Sequence, residues 1–238
     1  MVAGVALRVS SVCCVYMRIK ILFVLLLCSA VAMVAETGID RRMREAGYVE
    51  VTDAVPDVVV DLMYARSDNF AGRVLYDSLR RAYLHPRAAE ALARARRELE
   101  RLAPGLRLMV KDAARPVSVQ RSMFAAVRGT EASRYVANPA TGGGTHNFGI
   151  AVDITLCDSL GRELPMGSAV DHLGLESHIT AEADLLRRGV ISRAEYDRRR
   201  LLRRVMRAAG FLTIRREWWH FELERRQSAA RHYRLIDF

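Results

Sequence analysis

Two short segments far apart in this chain must meet in space if their side chains are to act together, and that requirement restricts the fold more than any other feature. The first is Thr145-His-Asn-Phe-Gly-Ile-Ala-Val-Asp153 and the second is Glu217-Trp-Trp-His220. Together they hold two imidazoles, one carboxylate and a spare glutamate. A catalytic zinc site needs that inventory: three protein ligands, a fourth position open to water, and a carboxylate off the metal to take the water's proton. The candidate ligands are His146, Asp153 and His220, and the candidate general base is Glu217.

Spacing predicts local irregularities. His146 and Asp153 are an odd number of residues apart, so on one unbroken strand they would face opposite sides of a sheet. Gly142-Gly143-Gly144 and Gly149 suggest that His146 lies on a loop and that the chain bends before a strand, Ile150 to Leu156, that carries Asp153. Glu217 and His220, at i and i+3, share a strand face only if the backbone turns or bulges between them.

These residues resemble the zinc D-Ala-D-Ala peptidases, in particular the D-alanyl-D-alanine dipeptidases of the vancomycin-resistance type. The family pattern is Ser-x-His-x-x-Gly-x-Ala-x-Asp followed by Glu-x-x-His. Here the first reads Gly144-Thr-His146-Asn-Phe-Gly149-Ile-Ala151-Val-Asp153, with Gly144 in place of the serine, and the second reads Glu217-Trp-Trp-His220. Three further stretches resemble the dipeptidase branch: Asp61-Leu-Met-Tyr64-Ala-Arg-Ser-Asp-Asn-Phe70, Asp112-Ala-Ala-Arg115-Pro116 and Pro165-Met-Gly167 with Asp171. The resemblance covers residues 48 to 225 in the family's order. It implies a hedgehog/D,D-peptidase-like zinc fold with one Zn2+ per chain, Arg115 steadying the oxyanion, and Asp171 with Tyr64 near the ammonium of a small D,D-dipeptide substrate.

The amino terminus reads as an export signal. Met17-Arg-Ile-Lys20 is a short basic start and a plausible true initiator, Ile21 to Ala35 is apolar, and Ala30-Val-Ala32 offers a cleavage site. That run is short for a membrane span; an uncleaved anchor and a lipid on Cys28 are the alternatives. With residues 1–35 as leader, residues 36–238 form one domain, roughly 200 residues long, and 51% hydrophobic content over the chain suffices for one core. Cys13, Cys14 and Cys28 fall in the leader, so Cys157 stands alone afterwards and reads as a small buried hydrophobe.

The chain carries a formal charge of +10, and without Arg8, Arg18 and Lys20 the remaining 34 basic and 27 acidic side chains give +7. The arginine runs alternate with Leu, Glu and Asp on helical segments, as on a solvated helix face. No aromatic interleaving or nucleic-acid motif accompanies them, so nucleic acid is not an expected partner. His85 and His232 read as surface groups, while His172 and His178 are placed to line a cleft or to serve structure.

Periodicity gives an α+β frame: helices from Pro86 to about Leu102, Pro116 to Val127 and Ser192 to Ala209, a strand at Leu106–Val110, and a closing hairpin from Phe211–Ile214 and Trp218–Leu223. The expected architecture is a single domain with a central, mostly antiparallel sheet flanked by helices. Three functions fit: hydrolysis of free D-Ala-D-Ala, a D,D-carboxypeptidase or endopeptidase acting on peptidoglycan stems, and an inactive zinc-stabilised wall-binding module. The presence of Glu217 and Arg115 argues against the last, since a binder needs neither.

Overall fold

The computed structural model describes residues 36–238. Residues 1–35, the segment read as a leader, with Met17, the candidate cleavage site and Cys28, lie outside the described residues.

Seven short or medium strands are labelled in chain order: β1 Val49–Glu50, β2 Val59–Val60, β3 Tyr83–Leu84, β4 Arg107–Asp112, β5 Ala151–Cys157, β6 Leu212–Ile214 and β7 Glu217–Glu222. β1 and β3 form an antiparallel pair of their own. The others build a five-stranded sheet in the order β2-β4-β5-β7-β6. Its pairings are antiparallel except β2 with β4, which run parallel. The expected α+β, mostly antiparallel frame is the one observed.

β5 is the central strand and is buried along its whole length. Its side chains alternate in direction, so Val152, Ile154 and Leu156 share one face and Ala151, Asp153 and Thr155 the other. The first set joins an apolar core with Ala88, Leu92 and Leu99 of helix α2 (Pro86–Leu102) and Leu202, Val205 and Met206 of a later helix (Arg193–Ala208). Each of the valine, leucine, isoleucine and methionine side chains contributes roughly 1.5–3 kcal/mol by leaving water. Helix α1, Gly38–Glu45, precedes these; α3 is Val117–Val127, α4 is Arg193–Ala208, and α5 is Arg226–His232.

The helix ends follow from local chemistry. Pro86 occupies the first turn of α2, where a missing N–H costs nothing, and the His85 ring accepts from the Arg87 backbone N–H. Ser192 and Glu195 cap α4 reciprocally.

Two departures from regular pairing set the phase of the sheet. Val110 opposes Ile154 while Asp112 opposes Asp153, which leaves Lys111 as the extra residue of a bulge. On the other side, Thr213 opposes Phe221 but Ile214 opposes Glu217, so β7 bulges between Glu217 and Phe221. The predicted break between Glu217 and His220 is therefore present. Asp153 in turn pairs directly with His220. As a result, Asp112, Asp153 and His220 form a row across three neighbouring strands.

Sequence periodicity did not reveal β1, β2 and β3, which are two residues each. Nor did it reveal the short helix Glu182–Arg187.

Candidate metal centre and active site

His146 sits on a 3-10 turn, Thr145–Phe148, rather than on β5. Gly143 before the turn and Gly149 after it take φ values of +66° and +68°, left-handed conformations that glycine adopts without steric penalty. The turn swings His146 over Asp153. His146 Nε2, Asp153 Oδ1 and His220 Nδ1 then form a near-equilateral triangle, with sides of 3.2 Å between the imidazoles, 3.3 Å from His146 to Asp153 and 3.0 Å from His220 to Asp153. Ligands about 2.0–2.1 Å from a tetrahedral zinc ion stand about 3.3 Å from each other. The three groups are buried, and each offers one donor atom to a common point. The donor set and its spacing fit zinc with one coordination position left over.

A second layer orients these donors. His146 Nδ1 lies 2.7 Å from the Ala113 carbonyl oxygen, which turns Nε2 toward the triangle. His220 Nε2 lies 3.5 Å from Glu222 Oε2, and Glu222 in turn accepts from Thr145 Oγ1 at 2.8 Å and from Arg225 at 2.7 Å. Burial opposes charge on His220, but the hydrogen bonds of Asp153 and Glu222 outweigh it and take its pKa up to about 10. Asp153 is held well below the ordinary carboxylate range, since the two imidazoles overcome its burial.

Glu217 stands beside this centre without joining it. Its Oε2 is 3.9 Å from His220 Nδ1, and its side chain is 16% exposed. Burial pushes its carboxyl up to about 8; His220 opposes the shift, and the negative charges of Asp153 and Asp171 add to it.

Arg115 is buried beneath the cleft. Its Nε donates to Asp112 Oδ2 at 3.0 Å, its Nη1 donates to Gln120 Oε1 at 2.8 Å, and its Nη2 lies 3.9 Å from Asp153 Oδ2. The guanidinium also stacks over the Tyr64 ring, 5.2 Å from its centroid. The structural pairing with Asp112 and a position at the site thus coexist in one side chain. Asp112 is fixed from its other oxygen by the Tyr76 hydroxyl.

Asp171 is the non-glycine residue with positive φ among the described residues, at +63°. Its carboxylate accepts from the Tyr64 hydroxyl. Burial and the negative Asp153 push its pKa up to about 7, against the Tyr64 hydrogen bond. All seven residues singled out from the sequence, Tyr64, Arg115, His146, Asp153, Asp171, Glu217 and His220, line one cleft of about 220 Å³.

Other readings are adjusted. His85 is not a free surface group: besides capping α2, its ring packs edge-on against Tyr233, with centroids 4.8 Å apart. His172 pairs with Glu176 at 3.0 Å and His178 contacts Tyr135 at 3.3 Å, and neither lines the metal cleft. Trp219 is a cleft wall, whereas Trp218 is fully buried and its indole N–H donates to Ser168 Oγ at 2.9 Å. Cys157 is buried and free. The residue that sequence reasoning missed is Glu222. It lies two positions past His220, on the same strand face, and that spacing was the available signal.

The D-Ala-D-Ala dipeptidase family model matches residues 44–237. The D-alanyl-D-alanine dipeptidase of Escherichia coli K12 is 34% identical over 175 residues, covering 74% of this chain and 83% of that protein. Proteins of the same name from Enterococcus faecalis and Streptomyces coelicolor are 28% and 31% identical, covering 75% and 73% of this chain and 92% and 90% of their own lengths. With nearly the whole described chain matched, and two histidines, an aspartate and a neighbouring glutamate gathered in one cleft, the chain belongs to the D-Ala-D-Ala dipeptidase family.

Proposed function

We propose that this chain hydrolyses free D-Ala-D-Ala with one zinc ion held by His146, Asp153 and His220. The observation that carries the proposal is the donor triangle, whose sides of 3.0 to 3.3 Å suit a tetrahedral ion, with Glu217 next to it and off the metal. Bound there, zinc supplies Lewis acidity, polarising the scissile carbonyl and making a water acidic enough to attack near neutral pH.

The side chains supply the rest. Glu217 takes a proton from the attacking water and passes it to the departing amine; its burial, which raises the carboxyl pKa in the metal-free site, and its place beside the donor triangle suit a group that must hold and release a proton. Arg115, held by Asp112 and Gln120, steadies the negative charge that develops on the carbonyl oxygen, a role in which one fixed donor is worth about 3 kcal/mol. Asp171, with Tyr64, receives the substrate ammonium. A cleft of about 220 Å³ has room for a dipeptide. The names of the relatives support the same substrate.

The basic start at Met17 and the apolar run after it support export, and among the described residues no helix is long and apolar enough to cross a membrane. An exported enzyme of this kind would salvage dipeptide released from the wall.

The test is D-alanine release by zinc-loaded protein offered free D-Ala-D-Ala beside a muropeptide ending in D-Ala-D-Ala. Release from the free dipeptide alone is expected. Release mainly from the muropeptide moves the assignment to a carboxypeptidase, and release from neither removes the peptidase reading.

A further inference from the structure

Two arginines line the cleft, and they are not equivalent. Arg115 is neutralised by Asp112. Arg226, in the first turn of α5, is half-buried in the cleft lining, with its Nε donating to the Gly143 carbonyl oxygen at 2.8 Å. No carboxylate pairs with it among the described residues, whereas its neighbour Arg225 is bound to Glu222. The loop beneath it is built to admit the guanidinium. Gly142 has φ +95°, and a Cβ at that position would lie 2.4 Å from Arg226 Nη2. Gly144, which takes the place of a serine in the resembling pattern, also lines the cleft.

The cleft is therefore charged unequally along its walls. Asp171, held by the Tyr64 hydroxyl, offers a carboxylate, and Arg226 offers an unneutralised cation beside the glycine loop that leads into His146. A guanidinium fixed through Nε keeps its terminal nitrogens for a planar anion, and a carboxylate matches that fork. We infer that Arg226 binds the C-terminal carboxylate of the substrate and makes the enzyme selective for peptides with a free carboxyl end. The inference rests on the D,D-dipeptide reading of the site. Arg226 is a substrate-binding residue in this view, so its loss acts on KM more than on kcat.

The test compares D-Ala-D-Ala with its C-terminal amide. Turnover of both is measured with zinc-loaded wild type, Arg226→Gln and Arg226→Lys. Calorimetric binding of both is measured on the same three proteins carrying Glu217→Gln. Wild type is expected to favour the acid over the amide by roughly ten- to hundredfold, the usual strength of a charge-assisted hydrogen bond. Arg226→Gln loses that preference by weakening the acid, with the amide unchanged, and Arg226→Lys, which keeps the charge, retains part of it. If acid and amide bind wild type equally, or if the preference survives in Arg226→Gln, the inference is wrong even though turnover persists. Should Arg226→Gln fail to fold, Arg226→Lys decides: a partial loss of the preference upholds the contact, and a preference equal to that of wild type refutes it, as does equal binding of acid and amide by wild type. An Arg226-dependent preference in binding without release of D-alanine removes the hydrolytic assignment and leaves Arg226 as a carboxylate site. Failure of either ligand to bind overturns both.

Discussion

The two faces of β5 differ as sharply as any two regions of this molecule, although they alternate residue by residue. Val152, Ile154 and Leu156 face a helix-covered apolar core, while Asp153 faces a cleft crowded with histidines, carboxylates and arginine. Neighbouring positions on one strand are thus divided between stability and chemistry. The first face gains free energy by removing apolar surface from water. The second bears the desolvation of several ionisable groups, which is tolerable because each has a partner of opposite charge or a hydrogen bond. Rigidity supplied by the one is what holds the donor triangle of the other.

Substitutions on the two faces should separate these roles. Glu217→Gln should lower turnover by about 10²–10⁴-fold, the usual range for a general acid-base group, while the protein still binds one zinc ion; kinetics beside metal analysis would detect a wrong assignment as near-normal turnover or as lost metal. Ile154→Ala, on the apolar face, should cost about 2–5 kcal/mol in denaturant unfolding with the metal-free protein. A loss of zinc affinity at unchanged stability would instead mean that the two faces are not partitioned as described.

Glu222→Gln probes the layer behind the triangle. It should weaken zinc about 10–100-fold in chelator competition, because His220 loses the carboxylate that orients it. A variant with wild-type affinity would reduce Glu222 to a partner of Thr145 and Arg225.

A smaller effect concerns pH. His220 is raised from 6.5 to about 10 in the metal-free protein, so zinc must displace its proton. Zinc affinity should therefore climb with pH, by up to about tenfold per unit, and level off near 10. The sign for stability is opposite: charge on His220 stabilises the metal-free fold fully below 6.5, and that contribution fades as pH rises through about 10. Melting curves with and without a chelator should diverge on the alkaline side. The smallest expected change is Thr155→Val on the cleft-side face, where the buried hydroxyl has no protein partner; it should be neutral or stabilising by about 1 kcal/mol.

Much of this arrangement was legible in the sequence, and for identifiable reasons. His146, Asp153, Glu217 and His220 were conspicuous as ligand types, and the glycines around His146 and the i, i+3 spacing of Glu217 and His220 required a turn and a bulge that the fold contains. Helices long enough to repeat their apolar stripe, α2 and α4, were readable to within a residue or two. The two-residue strands were not, because a period of two cannot be recognised in a single repeat. Glu222 escaped for a different reason: its two-residue offset from His220 marks a shared face, but the partner that ties it to the site, Thr145, is brought near only by the folded chain.

The bulge at Lys111 has an experimental use. Lys111 is the only lysine in residues 36–238, and the bulge places its ammonium between Asp61, at 2.8 Å, and Glu163, at 2.5 Å, with little exposure. The folded domain therefore shows almost no side-chain amine to solvent, its positive surface being guanidinium. Amine-reactive labelling at this position becomes a single-site clock for local opening of β4 beside β2, readable by mass spectrometry without introducing any probe into the chain.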